Sequence, residues 1–78
     1  MSKSKVRQHS AVIGGHKTSL SLEDEFWAHI KAMAADGEKT IGQVLGEARS
    51  RSTNLSSAAR LHVLAHLEAR INQLEGRR

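Results

Sequence analysis

The segment KTSLSL, residues 17–22, alternates strictly: Lys17, Ser19 and Ser21 fall on one side, Thr18, Leu20 and Leu22 on the other. A period of two makes an extended strand with one buried face. A lone strand leaves its backbone N–H and C=O groups unpaired, so this short stretch constrains the whole chain. It must pair with residues 6–13 upstream or with the same strand of a second copy. Gly14-Gly15, just before it, marks a turn or a bulge.

The strand runs directly into a helical repeat. Phe26, Ile30, Met33 and Ala34 recur at i, i+4, i+7 and i+8, one face of a helix, with Trp27 beside it. Ser21 followed by Asp24 approximates a capping box. Glu23, Asp24 and Glu25 set negative charge at the positive end of the helix dipole, and Gly37 is a natural stop. A helix over residues 22–36 is predicted. Thr40 with Gln43 caps a second helix, on which Ile41, Val44, Leu45 and Ala48 share a face. Gly42 and Gly46 weaken that helix by up to about 1 kcal/mol each relative to alanine. They also leave a thin surface that another backbone can approach. After the polar break at residues 50–54, a third helix capped by Asn54 or Ser56 runs toward Leu74. Its Leu64, Leu67, Ile71 and Leu74 are spaced 3, 4 and 3, a coiled-coil-like seam that Ala58 and Leu61 extend upstream. Two heptads are too few for an independent coiled coil, so this reads as a helix packed on the core.

A chain of 78 residues forms one small domain whose core is marginal alone. Without cysteine it has no disulfide or thiolate zinc site, which leaves oligomerisation or a compact helical core as the source of stability. No apolar run reaches the roughly 20 residues that span a bilayer, and no apolar signal core follows the basic N-terminus. A soluble cytoplasmic protein is expected. The net charge of +4 suits a polyanionic partner. It is unevenly spread: residues 1–20 carry Lys3, Lys5, Arg7 and Lys17 with no acid, whereas residues 21–38 are acidic. The chain therefore divides into a flexible basic arm at 1–11, a folded domain at 12–75 and a basic tail at 76–78. The arm's Lys3, Lys5 and Arg7 suit phosphate contacts.

Little in the sequence suggests catalysis or a cofactor. His62 and His66 stand at i, i+4, a chelating spacing, but Val63 occupies the position of the HExxH glutamate and no cysteine adds a ligand. A metal-responsive regulator is thus a weak option, and neither a metal nor a cofactor is expected. Gly14-Gly15-His16-Lys17 lacks the spacing of a phosphate loop. So short a chain can scarcely enclose a substrate pocket, so neither an enzyme nor a small-molecule substrate is expected. Phe26 and Trp27 are the only aromatic residues and both lie on the first helix, so the strand offers no stacking platform for single strands or RNA. What the strand does offer is Lys17, Ser19 and Ser21, side chains able to bond base edges or phosphates, and a two-stranded ribbon fits the major groove of B-DNA.

The order of strand, acidic-capped helix, glycine turn and threonine-capped helix resembles the ribbon-helix-helix DNA-binding proteins of the Arc and MetJ type. The runs HKTSLSLEDEFW and NLSSAARL are similar to those of short bacterial members, and the resemblance covers roughly Val12 to Leu67. It implies a mainly α, intertwined homodimer with an intersubunit two-stranded antiparallel β-ribbon, here with an additional C-terminal helix. It further implies a sequence-specific binder of double-stranded DNA acting as a transcriptional repressor, with higher oligomers on DNA a further possibility. Outward strand residues Lys17, Ser19 and Ser21 would enter the groove, and Thr40 and Ile41 at the second helix start would meet phosphate. If NLSSAAR instead begins the family's second helix, that role passes to Asn54, Ser56 and Ser57. The competing function is a protein-interaction module, an antitoxin- or adaptor-like dimer without DNA readout.

Overall fold

The computed structural model describes residues 5–76. Two strands, β1 (Val6–Ile13) and β2 (His16–Glu23), lead into helices α1 (Asp24–Asp36), α2 (Ile41–Ala48) and α3 (Leu55–Glu75), with a 3-10 turn at Arg49–Arg51 before α3. The strands form a two-stranded antiparallel sheet with Ile13 opposite His16, Ser10 opposite Ser19 and Val6 opposite Glu23. Gly14 and Gly15 join them at φ 57° and 84°. Both values are positive, the conformation that two-residue hairpin turns require and that glycine adopts freely.

The partner of β2 is therefore β1 of the same chain, one of the two pairings its alternation allows, whereas the resemblance implied a ribbon shared between two chains. Residues 6–11, read as a flexible arm, belong to β1. Their alternation is hidden because the inward positions hold His9 and Ala11 rather than large aliphatics. Each is nevertheless held: His9 stacks on Trp27 of α1 with ring centroids 4.3 Å apart and planes 12° from parallel. Ala11 packs on the core.

The core lies between the inner face of the ribbon and the three helices. Ile13, Leu20 and Leu22 meet Ile30 and Ala34 of α1, Val44 and Leu45 of α2, and Ala59 and Val63 of α3. Helix α1 begins at Asp24 rather than residue 22, because strand pairing persists to Glu23. Ser21 is thus not its cap; Glu23 holds that position, with no side-chain bond to the helix. At the other end the left-handed residue is Glu38 (φ 55°), not Gly37. The amides of Glu38 and Lys39 donate to the Ala35 and Ala34 carbonyls at 3.3 and 2.8 Å, the paired bonds of a Schellman motif. Helix α2 carries the reciprocal capping box expected from Thr40 and Gln43. Asn54 caps α3, its Oδ1 accepting from the Ser57 amide at 3.0 Å. No described helix is long and apolar enough to cross a membrane.

Gly42 marks the closest approach in the fold. A Cβ there would overlap the carbonyl oxygen of Val12, so α2 rests its bare backbone on β1. Gly46, one turn on, has only an ordinary contact with the Ile13 side chain. Gly42→Ala should therefore destabilise by about 1–3 kcal/mol through overpacking. Gly46→Ala should be neutral or stabilise by up to about 1 kcal/mol through helix propensity. Urea denaturation of the two variants measures the contrast, and equal effects would contradict the close approach.

Candidate nucleic-acid interface

The register places side chains on two faces of the ribbon. Arg7, His9, Ala11 and Ile13 share the inner side with His16, Thr18, Leu20 and Leu22. The outer side carries Lys17, Ser19 and Ser21 of β2, facing Val12, Ser10 and Gln8 of β1 respectively, and all six are exposed. The three strand residues proposed from sequence thus stand together on one solvent-facing surface. Gln8, Ser10 and Val12 join them there and were missed. Their signal was the polar alternation of residues 8 and 10 ahead of a Gly-Gly hairpin turn.

Backbone geometry assigns Ser21 its role. In a two-residue hairpin the closing pair, Ile13 and His16, exchanges both hydrogen bonds, and every second pair does likewise. The amides of Lys17, Ser19 and Ser21 therefore point away from β1, along the outer edge of β2. The Ser21 amide donates to Ser56 Oγ at the start of α3, at 3.1 Å. Its backbone thus anchors α3 while its side chain stays on the exposed face. The same bond engages the Ser56 hydroxyl inside the domain, and the Asn54 side chain is engaged in capping.

The remaining candidates separate. Arg7 lies on the inner side, and its Nε meets Asp24 Oδ2 at 3.2 Å, which ties β1 to the start of α1. Lys5 is exposed just before β1. Lys3 lies outside the described residues. Thr40 and Gly42 line an open groove of about 460 Å³ with Val12, Gly14 and Arg49, so the start of α2 stands beside the hairpin turn. The Thr40 amide is taken by Gln43 Oε1 at 2.8 Å. Ile41, the first helical residue, has an amide with no intrahelical acceptor.

Three acidic side chains, Glu23, Asp24 and Glu47, are engaged in ties within the chain. Glu23 accepts from Arg60 Nε at 3.0 Å, which joins the end of β2 to α3 and holds the Glu23 carboxyl below its ordinary pKa. Glu47 pairs with Lys39, whose hydrogen bond lowers the Glu47 pKa. Among the described residues no ion pair engages Lys17, so the outer ribbon face carries an uncompensated cation.

The residues from 6 to 67 match the family model of the ribbon-helix-helix domain. The chain belongs to the ribbon-helix-helix family. This is a family of DNA-binding transcription regulators, and the match takes in β1. Comparison with curated proteins and with solved structures gives no match. In this ribbon-helix-helix protein His62, one of the two histidines on α3, is tied to the segment before that helix. His62 Nδ1 accepts from Arg51 Nε at 2.9 Å, so one of its two possible metal-ligating nitrogens is already engaged.

Burial, and then the nearby Arg51 charge, lower the His62 pKa below its ordinary value near 6.5. The unfolded chain therefore binds this proton more readily than the folded one, and stability held above pH 6.5 is lost as pH falls through the depressed folded value. The melting temperature should fall between pH 7 and pH 5. His62→Gln should shrink that fall, whereas an unchanged slope would place the pH dependence elsewhere.

Proposed function

We propose that this protein is a homodimeric transcriptional repressor that inserts the outer face of its β-ribbon into the major groove of double-stranded DNA. The observation that carries this reading is the exposed polar face of the hairpin, with Lys17, Ser19, Ser21, Gln8 and Ser10 side by side. A two-stranded ribbon matches the groove width of about 12 Å. Lys17 donates to guanine or phosphate, Gln8 suits the paired donor and acceptor of adenine, the serines bond either kind of edge, and exposed Val12 suits a thymine methyl. Lys3 and Lys5 add sequence-independent phosphate contacts. The Ile41 amide and the positive end of the α2 dipole hold a phosphate beside the hairpin turn. The site of action is the cytoplasm, on chromosomal DNA.

Because the hairpin closes within one chain, a dimer carries two ribbons. It therefore reads two half-sites, and on one face of B-DNA these lie about 10–10.5 base pairs apart or a multiple of that.

Binding to promoter duplexes measured across a salt series tests the proposal. Affinity should fall steeply with salt. Removing Lys3 and Lys5 together should lower the magnitude of the log–log slope by roughly 2. Gln8→Ala should cost about 1–3 kcal/mol and relax specificity at a single position. Lys17→Ala should weaken specific binding while leaving the dimer intact. Undiminished affinity in both Gln8→Ala and Lys17→Ala would remove the ribbon from the interface. Absence of salt-dependent binding to any duplex would instead favour a protein-interaction module.

A further inference from the structure

An open cleft of about 490 Å³ lies where the end of α1, helix α2 and the middle of α3 converge. It shares no lining residue with the outer ribbon face or with the groove beside the hairpin turn. Its floor is apolar: Met33 of α1, Val44 of α2, and Ala65 and Ala69 of α3. The spacing of His62, Ala65, His66 and Ala69 puts all four on one face of α3. The two alanines there leave space that larger side chains would fill. A concave site of this size, with an apolar floor and a few polar groups, is the usual form of a small-ligand site.

Charged groups follow one another along the wall. Arg51 Nε donates to His62 Nδ1 at 2.9 Å. His62 Nε2 lies 3.8 Å from Glu47 Oε1, and Glu47 pairs with Lys39. The Lys39 stem lies beside Gly37, next to Asp36 at the end of α1. Glu47 is thus answered by Lys39. Arg51 is not answered in this way. An accepting Nδ1 carries no proton, so Arg51 rests on a neutral ring, and among the described residues no carboxylate pairs with it. His62 holds the guanidinium through Nε and leaves its two terminal nitrogens without an acceptor among the described residues. A guanidinium held in place offers a planar fork that matches a carboxylate. At the other end of the wall, Asp36 and the carbonyl end of the α1 dipole repel negative charge.

We propose that this cleft binds a small monocarboxylate with an apolar body, its carboxylate on Arg51 and its body on Met33, Val44, Ala65 and Ala69. The guanidinium selects a carboxylate over an amine or an alcohol. Asp36 disfavours a dicarboxylate of the same length. Met33, unbranched and adaptable, lets the floor take an aliphatic or an aryl body. The ligand touches all three helices, so its binding stabilises the fold. The site does not depend on the DNA reading above.

Nuclear magnetic resonance titration of the isotope-labelled full chain, free of DNA, with octanoate and with phenylbutyrate tests the site. At least one of the two acids should give saturable shifts centred on the amides of Gly37, Arg51, Ala65 and Ala69, and should raise the melting temperature. Octylamine, octanol and octanedioate should each bind more weakly than octanoate. R51Q should lose about tenfold or more in affinity with its helical circular dichroism retained. R70Q removes an equal charge from an exposed position of α3 outside the cleft, and it should bind as the wild type does. A69L should block binding by filling the floor, and it should still fold because Ala69 is exposed. No saturable shift with either acid, equal affinity in R51Q and the wild type, a preference for octylamine, or shifts centred on the ribbon would overturn the proposal.

Discussion

Pairing of β2 with β1 is the interaction on which the rest of this molecule depends. An eight-residue strand needs hydrogen bonds for its backbone, and the hairpin supplies them along one edge while turning Leu20 and Leu22 inward beside Ile13. Those three side chains then give all three helices a common surface. The same pairing holds the backbone extended through Glu23, which fixes where α1 begins. Edge contacts complete the arrangement. The bare backbone of α2 at Gly42 abuts β1 at Val12, and Ser56 of α3 accepts the outward Ser21 amide of β2.

Electrostatics follow the same division between an inside and an outside. The carboxylates near the ribbon are paired at the seams between elements: Asp24 with Arg7, and Glu23 with Arg60. Exposed pairs of this kind contribute little stability each. Their consequence is spatial, because the acids answer Arg7 and Arg60 and leave Lys17 alone on the outer ribbon face. A net charge of +4 thus becomes a directed property, which the overall composition does not convey.

Much of the helical layer was legible in the sequence. The capping box at Thr40 and Gln43 forms as its spacing required, and the predicted faces of α1 and α2 supply Ile30, Ala34, Val44 and Leu45 to the core. Strand β1 was less legible because its inner positions are His9 and Ala11, which give no clear period-two signal. Only the ring of Trp27 makes His9 a docking residue. Ser21 looked like a helix cap from local spacing, but ladder bonds extending two residues further outweighed that preference. Gly37 ends α1 as its position suggested, while the left-handed conformation falls on the next residue, Glu38, where Schellman bonds close the turn.

The sequence by itself determined the elements whose signals are local: the alternation of KTSLSL, the helical periods, the caps and the family they compose. Periodicity and capping act over a few residues, so a linear reading captures them. Tertiary structure decided which strand pairs with β2, which side chains share the outer face, and which half of the α3 seam stays uncovered. Each of those outcomes depends on residues far apart in the chain meeting at ångström range: Gln8 beside Ser21, Gly42 on Val12, Ser56 on the strand edge. No pattern of neighbouring residues records such meetings, because they follow from how the pieces fill space together.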